Sequence, residues 1–212
     1  MKLINPYFEI LSIVDGISML KSIERAGRTC YKSEDKITDD SAEKFVQMLI
    51  DKGHESVLEH EKISILFVCD RGVSHEIVRH RIASFSQEST RYCNYGKKED
   101  GITFIIPSLL TENGDDCPSD DEIVWKRAMS VCEKSYLELL QLGWTPQQAR
   151  SVLPNSLKTE IVVTANLREW RLIFKQRTSK AAHPQMRELM CPLLDELKKT
   201  IPVIFNDINY ER

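Results

Sequence analysis

Residues 79–95 read Arg-His-Arg-Ile-Ala-Ser-Phe-Ser-Gln-Glu-Ser-Thr-Arg-Tyr-Cys-Asn-Tyr. Arg79, Arg81 and Arg91 carry fixed forks of N–H donors that match phosphate oxygens or the edge of a planar imide. Ser84, Ser86, Ser89 and Thr90 add short hydroxyl donors. Apolar Leu66–Val68 and Ile77–Val78 lie just upstream, so the polar cluster stands beside core-forming elements. The chemistry these residue types suit is binding of an anion or a nucleotide. The same composition also fits a solvent-facing loop with a few weak ion pairs.

Other chemistries fail on spacing. His54-Glu55 and His75-Glu76 are followed by His60 and His80, six and five residues after the first histidine. A zinc-protease helix needs its histidines four apart to share one face, so no metal site is expected. A chain with eight glycines and no Gly-x-Gly-x-x-Gly run offers no Rossmann turn. Ser89 has no Gly-x-Ser-x-Gly elbow around it, and His80 is nine residues away. The six cysteines, Cys30, Cys69, Cys93, Cys117, Cys132 and Cys191, form no Cys-x-x-Cys pair. None has a context that would activate a thiolate, and most are expected to be small core residues.

The order of the polar residues says more than their types. Arg79-His80-Arg81, seven further residues and then Ser89 resembles the signature of the flavin-dependent thymidylate synthases. The flanks Ile82-Ala83-Ser84-Phe85 and Ser89-Thr90-Arg91-Tyr92 are similar too. So are Ala26-Gly27-Arg28-Thr29-Cys30-Tyr31, Gly53-His54-Glu55-Ser56 and Ala149-Arg150-Ser151-Val152-Leu153-Pro154. Asn166-Leu167-Arg168-Glu169-Trp170 and Gln176–Pro184 complete a set that runs in order over roughly residues 20–190.

The resemblance implies conversion of dUMP to dTMP. Methylenetetrahydrofolate supplies the carbon and FAD, reduced by NADPH, supplies the hydride. It implies that Arg177 polarises the uracil ring, where developing negative charge needs a cationic donor. It places Glu76, Arg79, Gln87, Ser89, Arg91 and Arg150 with Arg177 around dUMP. Ser56, Arg79, His80, Arg81, Gln87, Asn166 and Arg168 fall at FAD-binding positions. His54 and His183 match residues near flavin or folate. Gln87 stands where the family often has glutamate, Glu76 where some members have glutamine, and Leu172 where some have a flavin-contacting asparagine. The family implies a homotetramer with shared active sites. Two other readings compete: a binding module that uses the Arg79–Arg91 cluster for phosphate, and a hydrolase built on Ser89.

The elements that must hold these residues follow from periodicity. Asp40-Ser41-Ala42-Glu43 predicts a helix start, with Ala42, Phe45, Val46, Leu49 and Ile50 at helical spacing and Gly53 at its end. Residues 62–69, 102–106 and 158–165 predict strands. Residues 72–81 predict a short helix that would set Glu76 and His80 on one face. Residues 111–121, with Gly114 and Pro118, predict a loop. Ser119–Glu122 opens a long helix that ends near Gly143, and Thr145-Pro146-Gln147-Gln148 caps another. Two helices, 167–176 and 185–199, follow. Trp125, Trp144 and Trp170 are expected in core or interface. The irregular alternation points to one α+β domain over 1–212, a mixed or antiparallel sheet flanked by helices.

A chain of 212 residues can bury a sizeable core without disulfides. Its formal net charge of −3 gives no overall basic footprint, so no nucleic-acid polymer is an expected partner. No window approaches the ~18 apolar residues of a membrane span. Met1–Pro6 has no apolar signal core, and the cysteine usage fits a reduced, cytoplasmic compartment.

Overall fold

The computed structural model describes residues 1–97, 100–111 and 119–211. Its strands are β1 (Lys2–Ile4), β2 (Tyr7–Ile10), β3 (Lys62–Asp70), β4 (Ala83–Gln87), β5 (Thr103–Ile105) and β6 (Lys158–Asn166). Its helices are α1 (Gly16–Tyr31), α2 (Ser41–Asp51), α3 (Arg71–Ile77), α4 (Ser108–Thr111), α5 (Asp120–Gln141), α6 (Pro146–Ala149), α7 (Leu167–Arg177), α8 (Pro184–Thr200) and α9 (Pro202–Phe205). This is an α+β fold, with one parallel pair, β1–β5, and a four-stranded sheet of order β2-β3-β6-β4. Leu167 N–H bonds the Glu61 carbonyl and Arg71 N–H bonds the Asn155 carbonyl. Those bonds flank opposite ends of β3 and β6, so the two strands run antiparallel.

The chain forms two compact units interleaved in sequence. The first comprises 1–7, 67–79 and 86–161; the second comprises 8–66, 80–85 and 162–211 of the described residues. In the first, Tyr95, Ile102, Phe104, Met129, Tyr136, Ala149 and Leu157 form a buried cluster against one side of α5. In the second, α7 contributes Leu167, Trp170, Ile173 and Phe174 to the core. The Trp170 ring stacks on Phe174, Phe174 meets Phe205 edge-on, and the indole N–H bonds the Ile63 carbonyl at 3.0 Å. Gly27 permits a close approach of α1 to α2: a Cβ there would lie 2.7 Å from the Phe45 ring.

Most predicted elements stand within one or two residues of their expected bounds. The 72–81 helix does not: it spans Arg71–Ile77. Val78 is its C-cap and the chain tightens there, Arg79 N–H bonding the Glu76 carbonyl at 3.2 Å, so Glu76 and His80 do not share a helix face. Asp40 stands at the N-cap of α2 as expected, but its side chain makes no capping bond. The Ser41 hydroxyl beside it bonds the buried Glu24 carboxylate at 2.8 Å. Thr145 and Gln148 do form the expected cap, with Thr145 N–H donating to Gln148 Oε1 at 2.9 Å. Helix α1 and strand β4 were not expected. Gly114, Cys117 and Pro118 of the expected loop lie outside the described residues. Of the other cysteines, Cys69 is buried, Cys30 is exposed, and Cys93, Cys132 and Cys191 are half-buried. Trp170 is core, whereas Trp144 is exposed. Among the described residues, no helix is long and apolar enough to cross a membrane, and no group of three or more His, Cys, Asp or Glu could hold a metal ion.

Candidate active site

Helix α7 is the ruler of the site in the second unit. Its apolar face anchors it, and Asn166 caps it, accepting from Glu169 N–H at 2.8 Å. Asn166 therefore has a structural duty whatever else it binds. Glu169 follows one turn in, and Arg177 is the last residue of the helix. His80 reaches both. The Arg177 Nε–H donates to His80 Nε2 at 3.0 Å, while His80 Nδ1 lies 3.5 Å from Glu169 Oε1.

His80 and Glu169 are each 6% exposed. Burial, reinforced by the Arg177 charge, pulls the His80 pKa down to about 4. Burial likewise raises the Glu169 carboxyl. A neutral imidazole has one donor and one acceptor nitrogen. Because Nε2 accepts from Arg177, the proton sits on Nδ1, facing Glu169. The histidine of the Arg-His-Arg signature is thus an uncharged acceptor that fixes an arginine.

A cavity of about 340 Å³ opens beside the start of α7, walled by Ile82 and Leu172 and edged by Asn166 and Arg168. Arg168 Nη1 lies 2.6 Å from Glu59 Oε1 in an exposed pair. Deeper, Arg171 is 2% exposed and bonds Glu55 at 3.1 Å, Asp207 at 2.6 Å and the Ile204 carbonyl. A second cavity of about 370 Å³ shares Glu59, Ile82 and Asn166 and adds exposed Arg81. The donor set suits a flavin cofactor: arginines for its pyrophosphate, an amide for ring edges and an apolar wall for a ring face. Arg168 and Arg171 neutralise the carboxylates of Glu59 and Glu55 that would repel it.

The first unit holds a separate polar constellation. Gln87 Nε2 donates to Ser74 Oγ at 2.8 Å and to Thr159 Oγ1 at 3.2 Å. Arg150 Nη1 donates to Thr90 Oγ1 at 3.0 Å. Ser89 Oγ accepts from Arg91 N–H at 3.3 Å, and Arg91 is exposed. A cavity of about 230 Å³ is lined by Arg71, His75, Thr90 and Arg150, a donor set for an anion. Glu76 is half-buried and Arg79 is exposed.

Of the remaining expected residues, His54 and His183 have local partners. His54 is exposed, with Nδ1 3.4 Å from the Tyr31 hydroxyl. Ser56 is exposed in the 3-10 turn Glu55–His60. His183 caps α8, its Nδ1 accepting from Gln185 N–H at 3.3 Å. Sequence reasoning missed Glu169, Arg171, Glu55, Asp207 and Arg71. Arg171 did carry a signal. It stands between Trp170 and the Leu172–Phe174 run, where a charged residue needs a carboxylate partner.

Three comparisons bear on this chain. The family described as Thymidylate synthase complementing protein matches residues 13–203. Flavin-dependent thymidylate synthase from Pyrococcus abyssi is 35% identical over 171 residues, covering 79% of this chain and 67% of that protein. The enzyme of the same name from Geobacter sulfurreducens is 33% identical over 193 residues, covering 88% and 80%. The fold matches that of the UMP/dUMP methylase PolB from Streptomyces cacaoi, solved with 5-Br dUMP. That match has a TM-score of 0.78, 24% identity, and coverage of 97% of this chain and 96% of that one. With its signature arginines, its buried His80–Arg177 contact and these relatives, the chain belongs to the thymidylate synthase complementing protein family, the flavin-dependent thymidylate synthases.

Proposed function

We propose that this protein converts dUMP to dTMP, with methylenetetrahydrofolate as carbon donor and NADPH as reductant, the whole chain acting as one functional domain. Bound FAD would supply the hydride. The observation that carries the reading is Arg177, held by a buried neutral histidine of the Arg-His-Arg signature. A guanidinium can face a carbonyl and an adjacent ring nitrogen together. On this reading Arg177 stabilises the enolate-like charge that builds on uracil as carbon 5 becomes nucleophilic.

Glu76, Arg79, Gln87, Ser89, Arg91 and Arg150 would complete the nucleotide site. The cavity beside Arg150 offers cationic and hydroxyl donors for a phosphate. Ser56, Arg79, His80, Arg81, Gln87, Asn166 and Arg168 would hold FAD, and His54 and His183 would lie toward the folate. The protein works as a cytoplasmic homotetramer whose copies share active sites, with no metal. The relatives' names and the 5-Br dUMP bound to the structural neighbour support the substrate and cofactor class.

The test is tritium release from carbon-5-labelled dUMP with NADPH, FAD and methylenetetrahydrofolate present. Release coupled to dTMP formation is expected. Binding of FAD and dUMP without release would favour a binding module instead.

A further inference from the structure

Glu169 has no role in the chemistry described above, yet it is the innermost partner of the residue that holds Arg177. Glu169 and Arg177 are eight positions apart on α7, about 12 Å of helix rise. His80 comes from a different segment and bridges them, Nδ1 toward Glu169 and Nε2 toward Arg177. Which imidazole nitrogen carries the proton is set by the hydrogen bond the other nitrogen makes. Here Nε2 is held by a hydrogen bond from Arg177, and Nδ1 faces a carboxyl oxygen at 3.5 Å. Arg177 presents an Nε–H that can only donate, so Nε2 must stay bare. Glu169 presents a carboxyl oxygen that can accept from Nδ1–H whether or not the carboxyl is ionised. The Asn166 cap on Glu169 N–H fixes the backbone from which that carboxyl projects.

We infer that Glu169 is a positioning residue that selects the Nδ1–H tautomer of His80 and thereby fixes the Arg177 guanidinium for the reaction. With the opposite tautomer, His80 Nε2–H would face Arg177 Nε–H, donor against donor, and the guanidinium would turn away. This inference rests on the proposed thymidylate synthase reading for its kinetic consequence. Its structural half does not.

The experiment pairs spectroscopy with kinetics. Nitrogen-15 labelling of histidine, with His80 assigned by its loss in His80→Gln, reads the tautomer in the FAD-loaded protein near pH 7. Wild type is expected to show a protonated Nδ1 and a bare Nε2. Glu169→Gln keeps an acceptor oxygen and is expected to keep that tautomer and turnover within about threefold. Glu169→Leu removes the acceptor; it is expected to give mixed tautomers and a fall in kcat of tenfold or more, the scale typical of lost orienting partners. KM for dUMP should move much less. Glu169→Leu with the wild-type tautomer and wild-type kcat would overturn the inference. So would a wild-type His80 that is protonated on Nε2. A wild type with the expected tautomer and no dTMP formation would sink the functional reading alone.

Discussion

Arg177 donates to His80 across 97 residues of sequence, at 3.0 Å, and the acceptor is a buried ring. One arginine nitrogen is thereby committed. The rest of the guanidinium keeps its planar fork. Lysine in this place would keep a positive charge but lose both the fork and the fixed contact to the imidazole. Arg177→Lys is expected to lower dTMP formation on the order of a hundredfold or more while FAD binding and the unfolding midpoint stay near wild type. Near-normal turnover in that variant would remove Arg177 from the chemistry.

The depressed His80 pKa makes acid stability a test of how His80 is buried, with the Arg177 charge as the second cause. Its folded value of about 4 lies below the ordinary 6.5, so the unfolded chain holds the extra proton. The contribution is complete above pH 6.5 and drains away as pH falls toward 4, by roughly 3 kcal/mol at its limit. Glu169 acts in the opposite sense: burial raises its carboxyl, so its protonation on the way down favours the fold and offsets part of the loss. Urea unfolding from pH 7 to pH 4.5 should show a steeper loss in wild type than in His80→Gln. Equal slopes would mean that His80 titrates normally.

Arg171 anchors the second unit through Glu55, Asp207 and the Ile204 carbonyl. Arg171→Met is expected to lower the free energy of unfolding by about 3 kcal/mol, because it strands two carboxylates and a carbonyl. Asp207 and Glu55 retain some contact with water, which holds the cost at the low end of that range. A denaturant midpoint within error of wild type would show that the network contributes nothing net.

Leu172 is 44% exposed and walls the cavity beside Arg168. An asparagine there could add a hydrogen bond of about 1 kcal/mol to a bound flavin. Leu172→Asn is therefore expected to tighten FAD binding about fivefold, read by titrating the apo-protein and following the flavin spectrum. Weakened binding would mean that the apolar wall matters more than the amide.

No cysteine is expected to act as the nucleophile. Cys93 lies inside the signature segment, but it packs against the Tyr95–Tyr136 cluster. Cys93→Ser should keep dTMP synthesis within about tenfold, a loss small repacking effects can cause. An inactive, folded, FAD-loaded Cys93→Ser protein would make the mechanism covalent.

How far these residues could be read from the sequence depended on distance. Helix α7 was legible because Leu167, Trp170, Ile173 and Phe174 repeat at helical spacing behind Asn166. Helix α1 has a comparable face in Met19, Leu20, Ile23 and Gly27, but Gly27 weakens helix propensity and its value appears only when Phe45 lies against it. Strand β4 alternates correctly, yet its outward Ser84 and Ser86 read as ligands rather than as the solvent face of a strand. The arginine and histidine of the site were visible as types. That they touch was not, because non-local pairing leaves no periodic trace. Glu169 was visible only as part of a shared motif, and its partner lies far upstream.

The strand order carries a consequence for how the chain is made. β6 lies between β3 and β4, yet it is the last of the four to be synthesised. At about 5–20 residues per second, β4 leaves the ribosome on the order of seconds before its neighbour exists. Through that interval one margin of β3 and the backbone of β4 have open hydrogen-bonding groups, a template for pairing with another nascent chain. The signature segment is thus translated early and completed late. Slowing elongation ahead of residue 158 should lower soluble yield without altering the finished protein.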